Sequence, residues 1–155
     1  MHTRRQMLSD SAKVAALLAA VGLAPQLAKA QAASYNSAAF DAKNMADAMK
    51  ALGAAAPVAS KDVTVTAPDI AENGAVVPVG AAAALPGVKR LLILVEKNPA
   101  ALAAMFEPSD AVEANIATRV KLGQSSNVFA VAILNDGKVL FAQKEVKVTL
   151  GGCGG

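Results

Sequence analysis

The sequence predicts an all-β domain: an antiparallel β-sandwich with one helix at its front and a flexible glycine-rich arm at its end. Three observations carry this reading. Apolar residues recur with period two in several short stretches separated by turn residues. Asp136-Gly137 stands between two long apolar runs, a hairpin signal. The apolar pattern stops at Leu150, and Gly151-Gly152-Cys153-Gly154-Gly155 then holds four of the eleven glycines in the chain.

The first element, residues 1–30, reads as an export leader rather than as part of the domain. It has a basic start, an apolar run from Val14 to Leu23 too short to span a bilayer, and Ala28-Lys29-Ala30 as a small-x-small cleavage site. Thr3-Arg4-Arg5-Gln6-Met7-Leu8 resembles the twin-arginine leader pattern, which implies export across the bacterial inner membrane in the folded state. Of the 15 Lys and Arg and the 12 Asp and Glu of the chain, four and one lie in this leader. Eleven of each remain, so the mature chain is formally neutral, and the basic character of the full sequence belongs to the leader. No clustered basic stripe suggests a nucleic-acid partner.

Residues 31–55 are expected to form a helical segment. Ala42, Met45, Ala46, Met49 and Leu52 share one face of a helix over 37–52, Asn36 or Ser37 caps it, and Gly53 stops it. The sandwich is expected over 56–150. Lys61 to Ala67 alternates, with Val63, Val65 and Ala67 facing one way. Ala75 to Ala82 is a second strand that Pro78 places at an edge or a bulge. Val88 to Val95 is a continuous branched run, as a buried central strand would be. Asn98-Pro99 and Glu107-Pro108-Ser109 bracket an Ala-rich connection with Met105 and Phe106. Ala114 to Leu122 alternates, with Ile116, Val120 and Leu122 opposite Asn115, Arg119 and Lys121. Asn127 to Leu134 and Val139 to Leu150 form the terminal hairpin around Asp136-Gly137, whose two turn residues are expected at positive φ. Val146, Val148 and Leu150 are expected to face inward.

The residue inventory narrows the chemistry. The single histidine, His2, lies in the leader, and there is no tryptophan. A mature chain without histidine lacks the commonest general base and metal ligand. One cysteine excludes an internal disulfide and a thiolate-rich metal site. A self-sufficient enzyme is therefore disfavoured. In the tail, Gly151 and Gly152 supply a hinge and Gly154 and Gly155 add almost no bulk, so Cys153 sits on a slender arm. Three residues extend roughly 10 Å. The tail holds no base or fixed cation to activate the thiol, so chemistry on its sulfur falls to other proteins.

The ending Val146-Lys147-Val148-Thr149-Leu150-Gly151-Gly152-Cys153-Gly154-Gly155 resembles the C-terminus of the SoxY family. These are the sulfur-carrier subunits of the bacterial thiosulfate-oxidising (Sox) multienzyme system. The resemblance implies an immunoglobulin-like fold in the periplasm and a heterodimer with a SoxZ-like β-sandwich subunit. It implies that a haem-containing c-type cytochrome loads thiosulfate onto Cys153 and that a manganese-dependent hydrolase releases sulfate. In some organisms a sulfur dehydrogenase oxidises the remaining sulfane sulfur. Cys153 would be the covalent attachment site, with Gly151, Gly152, Gly154 and Gly155 as its swinging arm. The resemblance implies no catalytic residue, resident cofactor or metal in this chain.

Other readings of the same tail remain distinct. An exported immunoglobulin-like binding module would use Cys153 as an intermolecular disulfide. A ubiquitin-like carrier would hold sulfur as a thiocarboxylate on Gly155. A nucleophilic enzyme would need a base supplied by a partner.

Overall fold

The computed structural model describes residues 36–109 and 111–150. The leader and the Gly151–Gly155 arm lie outside the described residues. Two short helices, α1 (Ser37–Phe40) and α2 (Met45–Ala51), precede nine strands. In chain order these are β1 (Val58–Ala59), β2 (Val63–Thr66), β3 (Ile70–Asn73), β4 (Val77–Ala83), β5 (Val88–Val95), β6 (Leu102–Phe106), β7 (Asn115–Val120), β8 (Ser126–Leu134) and β9 (Val139–Leu150). They form a large sheet in the order β1-β9-β8-β5-β6, with β3 also on β9, and a small sheet β2-β4-β7. The predicted all-β sandwich with a front helical layer is therefore present. Its pairings are antiparallel except on one edge of β9, where β1 and β3 run parallel to it.

Burial explains why the strands read as they do. One apolar cluster fills the sandwich between the sheets, with Val77, Val79 and Ala81 opposing Leu91, Ile93, Val128 and Val146. A second cluster lies on the other face of the large sheet, where Leu92, Leu94, Val131 and Ile133 meet Ala39, Ala48 and Met49. Strands β5 and β8 are thus covered on both faces, and their sequences run continuously apolar instead of alternating. Strand β7 is covered on one face only and alternates.

The expected helix over 37–52 is interrupted. Asn44 is extended, at φ −150° and ψ 171°, and caps α2 by accepting the Asp47 amide. The break lets the Ala42 carbonyl accept the Ala101 amide at 2.8 Å, which fastens the helical layer beside β6. Asn36 caps α1 and donates its side-chain amide to the Ala51 carbonyl, tying the two helices together. Ala48 is buried in place of the expected Ala46, which is exposed. Gly53 ends α2 as expected, at φ 64°: its amide donates to Lys50 and that of Ala54 to Met49, the Schellman pattern.

Four further expectations are corrected. The Ala-rich stretch before Glu107 is strand β6, because pairing with β5 overrides the weak strand preference of alanine. Strand β4 is central in its sheet despite Pro78. Ala83 donates to Ala114 on the β7 side and Ala84 to Asp62 on the β2 side. By alternation Pro78 turns its missing donor towards β2, whose pairing has already ended at Thr66 opposite Gly80. The hairpin turn has three loop residues: Gly137 alone has positive φ, at 87°, and its amide donates to Leu134. That is a type I turn closed by a glycine bulge, so Asp136 keeps ordinary φ. Finally, Leu150 is 58% exposed, because β9 has by then run past the body of the sandwich.

Among the described residues no helix is long and apolar enough to cross a membrane.

Candidate functional site

The described residues closest in sequence to the tail form the end of β9. Pairing with β8 ceases at Ser126 opposite Val146. The last four residues, 147–150, overhang that strand and are held on their other side by β3, through Ile70 opposite Lys147, Ala71 opposite Val148 and Asn73 opposite Leu150. The Lys147 amide donates to Asp69 at 2.9 Å, and the Leu150 carbonyl accepts the Gly74 amide at 2.8 Å. The Thr149 hydroxyl donates to the Glu72 carbonyl at 3.0 Å. On the side vacated by β8, the Ser125 hydroxyl accepts the Val148 amide at 2.9 Å. Gly74 also accepts the Leu122 amide at 2.7 Å, so the same turn touches both sheets.

The charges around this end are mixed in sign, and Lys144 among them is committed to structure. Lys144 donates to the Ala67 carbonyl at 2.6 Å and pairs with Asp69 at 2.9 Å. These bonds secure the chain as it crosses from β2 to β3. Asn115, Arg119 and Lys121 are exposed on the outward side of the small sheet, away from the cluster between the sheets. Among the described residues no group of three or more His, Cys, Asp or Glu side chains could hold a metal ion. Among the described residues the one clearly displaced carboxyl is Asp136, in the hairpin turn. It lies below the ordinary aspartate value because the Lys138 main-chain amide, and then the Lys138 ammonium, favour its charged form.

The predicted site residues Gly151, Gly152, Cys153, Gly154 and Gly155 lie outside the described residues. What the structure adds is the base from which they leave: a strand end fixed by main-chain bonds on one side and by a single hydroxyl on the other. Sequence reasoning did not single out Ser125, Gly74 or Glu72. Gly123-Gln124-Ser125-Ser126 carries a turn signal, but only the tertiary fold brings Ser125 to Val148 across 23 positions of chain.

The class of the protein follows from comparison of its sequence and fold with sulfur-oxidation proteins. The family model for the sulfur oxidation protein SoxY matches residues 48–153, which includes Cys153. The structure of the sulfur carrier protein SoxY from Chlorobium limicola f thiosulfatophilum is similar over 69% of this chain and 97% of that one, with 31% identity and a TM-score of 0.62. The chain belongs to the SoxY family, whose members are carrier subunits rather than enzymes. A variant superoxide reductase (neelaredoxin) from Ignicoccus hospitalis shares the fold alone, at 16% identity and a TM-score of 0.50 over 56% of this chain and 78% of that one. No curated protein sequence matches the chain.

Proposed function

We propose that this protein carries thiosulfate-derived sulfur covalently on Cys153 and presents it to partner enzymes during oxidation to sulfate. The observation that supports this most directly is the SoxY match running through residue 153, the only cysteine of the chain. In the first step the Cys153 sulfur bonds to the outer sulfur of thiosulfate. The thiol proton is released, and two electrons pass to a c-type cytochrome partner. In the second, water attacks the terminal sulfonate in a manganese-dependent hydrolase. Sulfate leaves and a persulfide stays on Cys153. A sulfur dehydrogenase would oxidise that persulfide in organisms that have one. The carrier works as a heterodimer with a SoxZ-like β-sandwich subunit in the periplasm, reached by the twin-arginine route that Arg4 and Arg5 suggest. Export in the folded state suits a subunit that travels with its partner.

The test is the intact mass of the mature protein from cells given thiosulfate, before and after reductant. Reductant-labile additions of sulfur, or of sulfur plus sulfonate, mapped to Cys153 support the carrier reading. A lone unmodified species, or a disulfide dimer insensitive to thiosulfate, overturns it in favour of a covalent clasp between chains.

A further inference from the structure

The turn between β3 and β4 carries a chemistry of its own, independent of what Cys153 holds. Asn73 is the one asparagine of the chain followed by glycine. Glycine has no Cβ to shield its amide nitrogen from the preceding side chain, so this pair is the most open of the chain's asparagine sites to ring closure. Asn73 is exposed, and water reaches it. Its Oδ1 accepts the Ala75 amide at 2.8 Å. That donor draws electrons from the carboxamide carbon and favours the oxyanion that forms when a nucleophile adds there. The nucleophile is the nitrogen of Gly74, a buried residue, and it is restrained by donating to the Leu150 carbonyl at 2.8 Å. The Gly74 carbonyl accepts the Leu122 amide at 2.7 Å, so both peptide groups flanking Gly74 are held.

We propose that Asn73 is a spontaneous modification site, with the Leu150 carbonyl as its guard. When that carbonyl lets go, the Gly74 nitrogen gives its proton to solvent base and bonds to the Asn73 side-chain carbon. The carbon–nitrogen bond of the carboxamide breaks, and its nitrogen takes up a proton and leaves as ammonia. A succinimide ring remains. Water opens the ring at either carbonyl, giving aspartate or isoaspartate, so the net change consumes one water and releases one ammonia. The opening required is of the last residue of β9, where Leu150 is 58% exposed. Val148 keeps its packing against the core between the sheets. Isoaspartate runs the main chain through one additional carbon, which shifts Gly74 relative to β3. The bonds to Leu150 and Leu122 are then not both kept, and the end of β9 loses this tie.

Peptide mapping of the full mature chain, incubated in mildly alkaline buffer, tests this. Aspartate and isoaspartate are expected at position 73, with Asn127 intact as the internal control. The reaction is expected to run roughly tenfold or more faster in the urea-unfolded chain, where the guard is absent. Thr149→Val removes the hydroxyl that donates to the Glu72 carbonyl at 3.0 Å and so loosens β9 beside Asn73. It is expected to speed the folded reaction about fivefold, the effect of one lost hydrogen bond, and to leave the unfolded rate unchanged. Equal rates in the folded and unfolded chains overturn the proposal. So does a folded chain that stays unmodified after the unfolded one has fully converted, and so does a folded Thr149→Val rate equal to the parent's. The product resists reductant, which distinguishes it from any sulfur added to Cys153.

Discussion

The Gly74 amide donates to the Leu150 carbonyl across 2.8 Å at the last described residue of β9. Gly74 at the same time accepts from Leu122, two residues past the end of β7. The strand that leads into the cysteine arm is therefore referenced to both sheets at its end.

Cys153→Ser is expected to leave the fold untouched and to abolish thiosulfate-dependent electron flow. In the sequence the residue comes three positions after the end of the last strand. Thermal unfolding should superimpose on that of the parent protein, while the reductant-labile masses vanish. A lowered midpoint would mean that the thiol is a packing group.

Leu92 and Ile93 are both fully buried, on opposite faces of β5. Leu92 meets the helical layer and Ile93 the opposite sheet. Replacing either by alanine is expected to cost about 2–5 kcal/mol, because each leaves a cavity in a close-packed region. Urea unfolding of the two variants checks it. A cost below about 1 kcal/mol for Leu92→Ala would show that the helical layer packs loosely.

Gly137→Ala should destabilise the terminal hairpin by about 1–2 kcal/mol through backbone strain alone. Gly137 sits at φ 87°, and an added Cβ there meets nothing within 4 Å. Gly80→Ala is the contrast: its φ is ordinary, but the new Cβ would lie 3.3 Å from that of Thr66. Thermal unfolding of both separates strain from crowding.

The Asp136 carboxyl is expected to titrate below the ordinary aspartate range in a carbon-detected NMR titration. Its first cause is the Lys138 main-chain amide, which donates to Oδ1 at 3.0 Å, and the second is the Lys138 ammonium. Lys138→Ala should therefore bring it only part of the way back. A depressed folded value means that the charged carboxylate favours the folded state. The contribution is present above the unfolded aspartate pKa and is lost as pH falls through the folded one. Contact with solvent keeps it small, and Asp136→Asn should flatten the stability profile only in that acidic window.

Much of the sandwich was legible in the sequence because burial wrote it there. The alternation of Val63 and Val65, and of Ile116 and Val120, records a strand with one covered face. The unbroken run from Leu91 to Val95 records one with two. What stayed hidden was fixed by partners distant in sequence. Strand β6 has alanine at two of its five positions and becomes a strand only beside β5. The break at Asn44 goes with the Ala42–Ala101 bond, made across 59 positions of chain, and Leu150, on the same face as Val146, is left uncovered at the end of β9. At the functional end, residue types alone marked Cys153 and its glycines. Ser125 gave no such sign, since a serine before a strand is ordinary turn chemistry.

Pro78 has a consequence for behaviour in crowded solution. The stretch of β4 beyond Thr66 exposes an unpaired edge, the kind of surface on which another chain could add a strand and begin a fibre. Pro78 offers no donor there, so an incoming strand finds a gap in the ladder where it would need its next bond. The residue that looked like a fault in the strand thus withholds, on this stretch of β4, a donor that an added strand would need.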